Sequence, residues 1–162
     1  MFNTINVLPA GTYYVGDPCY AIPDEWWQDV LENTGYLGLY ASRESMAAPV
    51  WTPYDGDRFG MWNYKGFAIG AASTKHGDGT YKDQNGNCYG VDSGTLGAVP
   101  IEMISSEKLA WIMAKPDGQI VKFPHPFMVS CDDDGLISIG HIHIDTDPQY
   151  EDDEYDDEDD TY

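Results

Sequence analysis

Two polar clusters hold the residues best suited to chemistry, each where a strand-forming run gives way to a turn. The first is Gly16-Asp17-Pro18-Cys19-Tyr20. A thiol near the start of a following helix can have a lowered pKa and act as a nucleophile, which makes Cys19 a candidate with Asp17 beside it. No His or Asn close in sequence completes a triad. A turn holding a small buried thiol is the plainer reading. The second cluster is Val91-Asp92-Ser93-Gly94-Thr95, where Asp92 could serve as general base or Ser93 as nucleophile. It lacks the G-x-S-x-G elbow, so an Asx or Ser turn ending a strand is the default.

Metal chemistry has weaker signals. His141 and His143 alternate with Ile142 and Ile144, which on one strand places both imidazoles on one face with Asp145. His76 and Asp78 could join from a loop. The spacing specifies no third ligand, so no metal is expected. Asp83, Asn85 and Asn87 open like a calcium loop, but Cys88 occupies the sixth position and Gly94 the twelfth. Those positions need glycine and a bidentate carboxylate. Walker and dinucleotide motifs are absent, and no cofactor is expected. Aromatic residues and positive charge meet most clearly at Trp51, Tyr54, Arg58, Trp62 and Lys65, a possible pocket for a small ligand such as a nucleotide.

The elements that must position these residues are mostly short strands. Aromatic residues are abundant (12 Tyr, 5 Trp, 5 Phe), as are Gly (17) and Pro (10). That mixture suits strands joined by turns. Strands are expected at Thr12–Val15, Tyr36–Tyr40, Phe59–Ala72 (one or two, broken at Gly66), Gly79–Lys82, Cys88–Asp92, Gly97–Pro100, Gln119–Phe123, Phe127–Cys131 and Leu136–Asp145. Asn85-Gly86 supplies the positive φ angles of a tight hairpin, and Asp132–Gly135 forms another turn. A helix is expected from Pro23, with Trp27, Val30 and Leu31 on one face and Gly35 as its stop. A second, Glu107–Ala114, is capped by Ser105 or Ser106 and ends before Pro116. Arg43–Asp55 reads as irregular. The fold class is therefore mainly β (α+β): a compact antiparallel sheet or sandwich with two short helices, in one domain over residues 1–146.

Residues 147–162 read as an acidic, non-folding tail, with Asp147 followed by Glu151, Asp152, Asp153, Glu154, Asp156, Asp157, Glu158, Asp159 and Asp160. Only Tyr155 interrupts the run from Glu151 to Asp160, so little apolar burial can offset the entropy of ordering it. The chain has 28 Asp and Glu against 8 Lys and Arg, a net charge of −20. Residues 145–162 hold 11 of those acids and no base, which leaves 17 acids against 8 bases before them. The body is thus acidic in its own right. Direct binding to nucleic acid is disfavoured, because phosphates would be repelled. A basic partner is favoured. Three widely spaced cysteines form neither a zinc pattern nor a disulfide framework and suit a reducing cytoplasm. The N-terminus has no signal-peptide pattern, and no apolar run of membrane-spanning length occurs.

The GTYYVGDPCY segment, the HGDGTYKDQNGNCYGVDSGTLGAVP block and the closing FMVSCDDDGLISIGHIHIDT pattern resemble a family of small bacteriophage proteins with no assigned activity. The resemblance covers much of residues 10–146 and implies a phage or prophage origin, with the host cytoplasm as location. The expected function is a non-enzymatic inhibitor of a host protein (a defence effector, nuclease or polymerase), acting by occupying its basic nucleic-acid-binding surface. Duplex phosphates recur about every 3.4 Å along each strand and extended residues about every 3.3 Å, so a carboxylate run can imitate that charge spacing. A nucleotide-binding sponge, a small metal-dependent or cysteine hydrolase and a minor virion component are the alternatives.

Overall fold

The computed structural model describes residues 2–33, 59–115 and 117–147. The expected strand Tyr36–Tyr40, the stop at Gly35, the stretch Arg43–Asp55, the pocket residues Trp51, Tyr54 and Arg58, and the acids from Glu151 to Asp160 lie outside those residues.

Among the described residues eleven strands form two antiparallel sheets. The first has the order β1 (Phe2–Thr4), β3 (Phe59–Tyr64), β4 (Phe67–Ser73), β7 (Thr95–Pro100), β2 (Gly11–Gly16) and β8 (Gln119–Phe123). The second has the order β6 (Cys88–Val91), β5 (Gly79–Asp83), β11 (Ile142–Asp145), β10 (Leu136–Ile139) and β9 (Val129–Cys131). Helices α1 (Asp24–Asn33) and α2 (Ser106–Ala114) are each preceded by a 3-10 turn, at Pro18–Tyr20 and Ile101–Met103. The mainly β class with two helices is as the sequence leads one to expect.

Alternation along the strands builds the layers. Tyr13 and Val15 point between the sheets, where they meet Leu96, Ala98, Val129, Ile137, Ile139, Ile142 and Ile144. Tyr14 points to the other face of the first sheet and joins Ile22, Val30, Trp62, Tyr64, Ile69, Val99 and Ile112. The helices thus cover one face of the first sheet, and the second sheet covers the other. Val30 is fully buried and Trp27 packs at the margin, as expected of the apolar face of α1, while the Leu31 side chain lies outside what is described. Ser105 caps α2 by accepting a hydrogen bond from the Lys108 backbone N–H.

One local expectation is sharpened and several others change. Phe59–Ala72 is two strands, joined by a two-residue turn with Lys65 at φ 52° and Gly66 at φ 87°, the twist a tight hairpin favours. In the loop of the β5–β6 hairpin Gly86 has positive φ, and Asn85 does not. Asp83 N–H bonds Asn87 O, and Gly86 N–H bonds Asp83 O, which defines a three-residue loop with glycine in the left-handed position. Leu136–Asp145 is two strands rather than one, turned at Gly140 (φ 60°). The strand just before it, β9, is shorter than expected, because Phe127 pairs alone with Leu8. β1 and the 3-10 turn at Pro18–Tyr20 were not expected.

The β5–β6 loop is fastened by Asp83. Its carboxylate accepts the backbone N–H groups of Asn85 (2.8 Å) and Asn87 (3.0 Å), the Asn87 side chain (3.1 Å) and the Tyr89 hydroxyl (2.7 Å). Burial pushes its pKa up, but these donors outweigh burial and hold it below the ordinary value. A depressed folded-state pKa contributes stability above the unfolded value of about 3.9, lost as pH falls through the folded value. Unfolding midpoints measured from pH 6 downward should therefore fall more steeply below about pH 4 in the parent than in Asp83→Asn. Parallel curves for the two proteins would refute this role.

Candidate functional site

The two polar clusters, more than seventy residues apart, meet at one buried carboxylate. β2 delivers Asp17 to the end of the first sheet, beside the turn that precedes β7, and Asp17 is fully buried. One oxygen accepts the Cys19 N–H (2.9 Å) and the Ser93 hydroxyl (2.7 Å). The other accepts the backbone N–H groups of Asp92 (2.6 Å) and Ser93 (2.7 Å). Ser93 Oγ also lies 2.7 Å from Thr95 Oγ1. Four donors occupy the carboxylate, so Asp17 is a clamp that fixes the 92–94 turn against the Pro18–Tyr20 turn.

That saturation decides against nucleophilic chemistry at these residues. A general base needs a lone pair turned toward a substrate, and both Asp17 oxygens face the protein. Ser93 is buried, with its hydroxyl held by Asp17 and Thr95. The Cys19 thiol is not lowered as a helix start could make it. Burial, and then the Asp17 carboxylate, push its pKa well above the ordinary value. Asp78 stands exposed on the adjacent loop, which joins the clamp through the Thr74 N–H to Gly94 O bond (3.0 Å).

Asp92 turns its side chain outward, where it accepts a hydrogen bond from the Tyr20 hydroxyl. Burial and that bond raise the Tyr20 pKa, so the phenol stays protonated as the donor. Tyr20 in turn lies against Trp111 of α2, with ring centroids 5.1 Å apart. Lys115 Nζ sits 4.6 Å from the Trp111 ring centre and 6.0 Å from that of Tyr20. Beside the two rings opens a groove of about 260 Å³, bounded by Cys19, Asp24, Glu107 and Lys108. Trp111 is 45 % exposed, an unusual position for so large an apolar ring. Sequence reading missed Trp111 and Lys115. The signal was available, since Trp111 is 100° away from Ile112, the buried position of α2.

The other expected sites fare differently. Trp62 is 4 % exposed within the helix-side core and cannot stack a ligand. Lys65 lies near the Trp26 and Tyr64 rings (5.6 and 5.5 Å). His141 lies in the turn, packed near Phe123, and does not share a strand face with His143. His143 Nδ1 is 2.9 Å from Ser138 Oγ, and His76 Nε2 is 2.8 Å from Asp147. Among the described residues no group of three or more His, Cys, Asp or Glu could hold a metal ion. No helix among them is long and apolar enough to cross a membrane.

Asp147 is held to the body by Lys75 Nζ (3.0 Å) as well as by His76. Just before it, Thr146 N–H bonds Gly135 O (3.0 Å), and the Thr146 hydroxyl bonds the same oxygen and receives the Lys75 N–H (3.0 Å). The chain therefore reaches residue 147 directly beside the Asp132–Gly135 turn. No family model matches the chain, and no curated protein or solved structure matches it.

Proposed function

We propose that the protein is a phage-encoded, non-enzymatic acidic protein that binds a basic, nucleic-acid-binding host protein and blocks the surface that would hold phosphates. One observation carries this reading. Thr146 fixes Asp147 beside the Asp132-Asp133-Asp134 turn, so the acidic sequence that follows starts from a point next to three carboxylates of the folded body. Three of the six lysines are already engaged. Lys75 is paired with Asp147 and Lys108 with Asp24, and Lys115 lies over Trp111.

The polar clusters support a binding role for the same reason they weaken an enzymatic one. Asp17 and Ser93 spend their hydrogen-bonding capacity on the fold, so their chemistry is structural.

Affinity capture from the phage host, followed by a nucleic-acid competition assay on the captured protein, tests the reading. The partner should be basic, should release between roughly 0.05 and 0.5 M salt, and should lose its nucleic acid to this protein. Removing residues 148–162 should weaken capture by an order of magnitude or more, and Asp133→Asn/Asp134→Asn should weaken it further. Asp132 is spared because its carboxylate caps the turn through Asp134 and Leu136 N–H groups. Capture that is indifferent to salt and to both changes would refute the reading.

A further inference from the structure

Acidic charge alone gives attraction without a docking point, and the groove beside Trp111 offers one. Resting on the reading above, we propose that the groove between Tyr20 and Trp111 receives an arginine side chain of the basic partner protein.

Shape comes first. The groove is an open cleft of about 260 Å³, walled by the Tyr20 and Trp111 rings and by the first turns of α1 and α2. That room suits one long side chain. Its carboxylates are Asp24 and Glu107 on the walls, with Asp92 behind Tyr20. Glu107 has no ion-pair partner among the described residues, whereas Asp24 is paired with Lys108 at 3.0 Å. The Asp24 side chain is 90 % exposed, so an incoming cation can exchange for Lys108 at little cost.

The rings supply the second half of the recognition. Trp111 already attracts a cation, the protein's own Lys115. Lys115 lines a separate small cleft on the rings with Tyr14 and Gly118, not the open groove. On the groove side the protein's own cation is Lys108, which is engaged by Asp24, so the ring faces there are open to a cation from a partner. Arginine fits better than lysine, because its planar guanidinium stacks on an aromatic face and bonds a carboxylate through two parallel N–H groups. An exposed Trp and a half-buried Tyr beside charge are also the residue types that concentrate binding energy at interfaces. The Asp17 clamp gives the site its rigidity. It fixes both the turn carrying Tyr20 and the Asp92 that receives the Tyr20 hydroxyl.

Labelled octa-arginine and octa-lysine peptides, equal in charge, separate this docking point from general attraction. Binding is read by fluorescence anisotropy at roughly 0.05 and 0.5 M salt. Both peptides should bind at low salt. At high salt octa-arginine should keep a preference of about 3- to 10-fold over octa-lysine. Trp111→Ala should abolish that preference, and Trp111→Phe should retain part of it, with circular dichroism confirming that both variants fold. Removing residues 148–162 should weaken both peptides alike and leave their ratio unchanged. Equal binding of the two peptides by the parent, or an unchanged ratio in Trp111→Ala, overturns the docking point while leaving the basic-partner reading intact. Failure of both peptides to bind at low salt overturns that reading itself, and the docking point with it.

Discussion

Gly97→Ala should nearly abolish folding. β7 runs between β4 and β2, and Gly97 pairs with Ala71 on one side and Gly16 on the other. A methyl group at Gly97 would overlap the Gly70 carbonyl oxygen and lie 2.9 Å from the Ala71 Cα. These are backbone atoms, so no side-chain rotation relieves the contact. The only escape is to part β4 from β7 at the centre of the six-stranded sheet. Overpacking among side chains costs about 1–3 kcal/mol, and a backbone clash should exceed that, at about 4 kcal/mol or more. Domains of this kind have only about 5–15 kcal/mol in hand. The expected result is poor soluble yield and a urea midpoint far below the parent's. Gly86→Ala is the control. It has positive φ (85°) but open space around it, so it should cost only about 1–2 kcal/mol. A Gly97→Ala protein as stable as Gly86→Ala would disprove the account.

Asp17→Ala should lose about 3–5 kcal/mol, the range for removing one partner from a buried charged network. Three backbone N–H groups, of Cys19, Asp92 and Ser93, and the Ser93 hydroxyl would lose this acceptor in a buried site. Asp17→Asn keeps the shape but should recover little. Its amide would turn two donors toward the two N–H groups, or toward Cys19 N–H and Ser93 if flipped. Urea unfolding checks both variants: the midpoint should drop with the slope unchanged. Because the clamp also sets Tyr20 and Asp92, the arginine preference of the groove should weaken in any Asp17 variant that still folds. A loss below about 1 kcal/mol for Asp17→Ala would mean that water replaces the carboxylate and that the clamp is not structural.

Much of the fold follows local rules visible in particular residues. Gly66, Gly86 and Gly135 mark turns because each adopts positive φ there, at little cost for glycine. Ser105 marks the start of α2 through its side-chain oxygen. The last hairpin was legible too, but from phase rather than composition. Ile137 and Ile139 point to the core, and so do Ile142 and Ile144. A single strand cannot place both pairs on one face, since the spacing from 139 to 142 is odd. The break falls at Gly140, where the chain reverses, and it separates His141 from the face that carries His143. β1 escaped notice because three residues carry too little pattern to read.

The sequence by itself determined the β-rich class, the two helices, the turn positions and the excess of acid, because each depends on residues adjacent in the chain. It also singled out Asp17, Cys19, Tyr20, Asp92 and Ser93. What those residues do was decided only by tertiary structure. Antiparallel pairing of β2 with β7 brings Asp17 to Ser93 across 76 residues and turns two suspected reactive clusters into one clamp. Packing of α2 over the same end leaves Trp111 exposed beside Tyr20 and opens the groove. The path of β11 past the Asp132–Gly135 turn sets where the acidic tail begins. Each is a contact between segments distant in sequence, and no local propensity encodes which distant segment a side chain will meet.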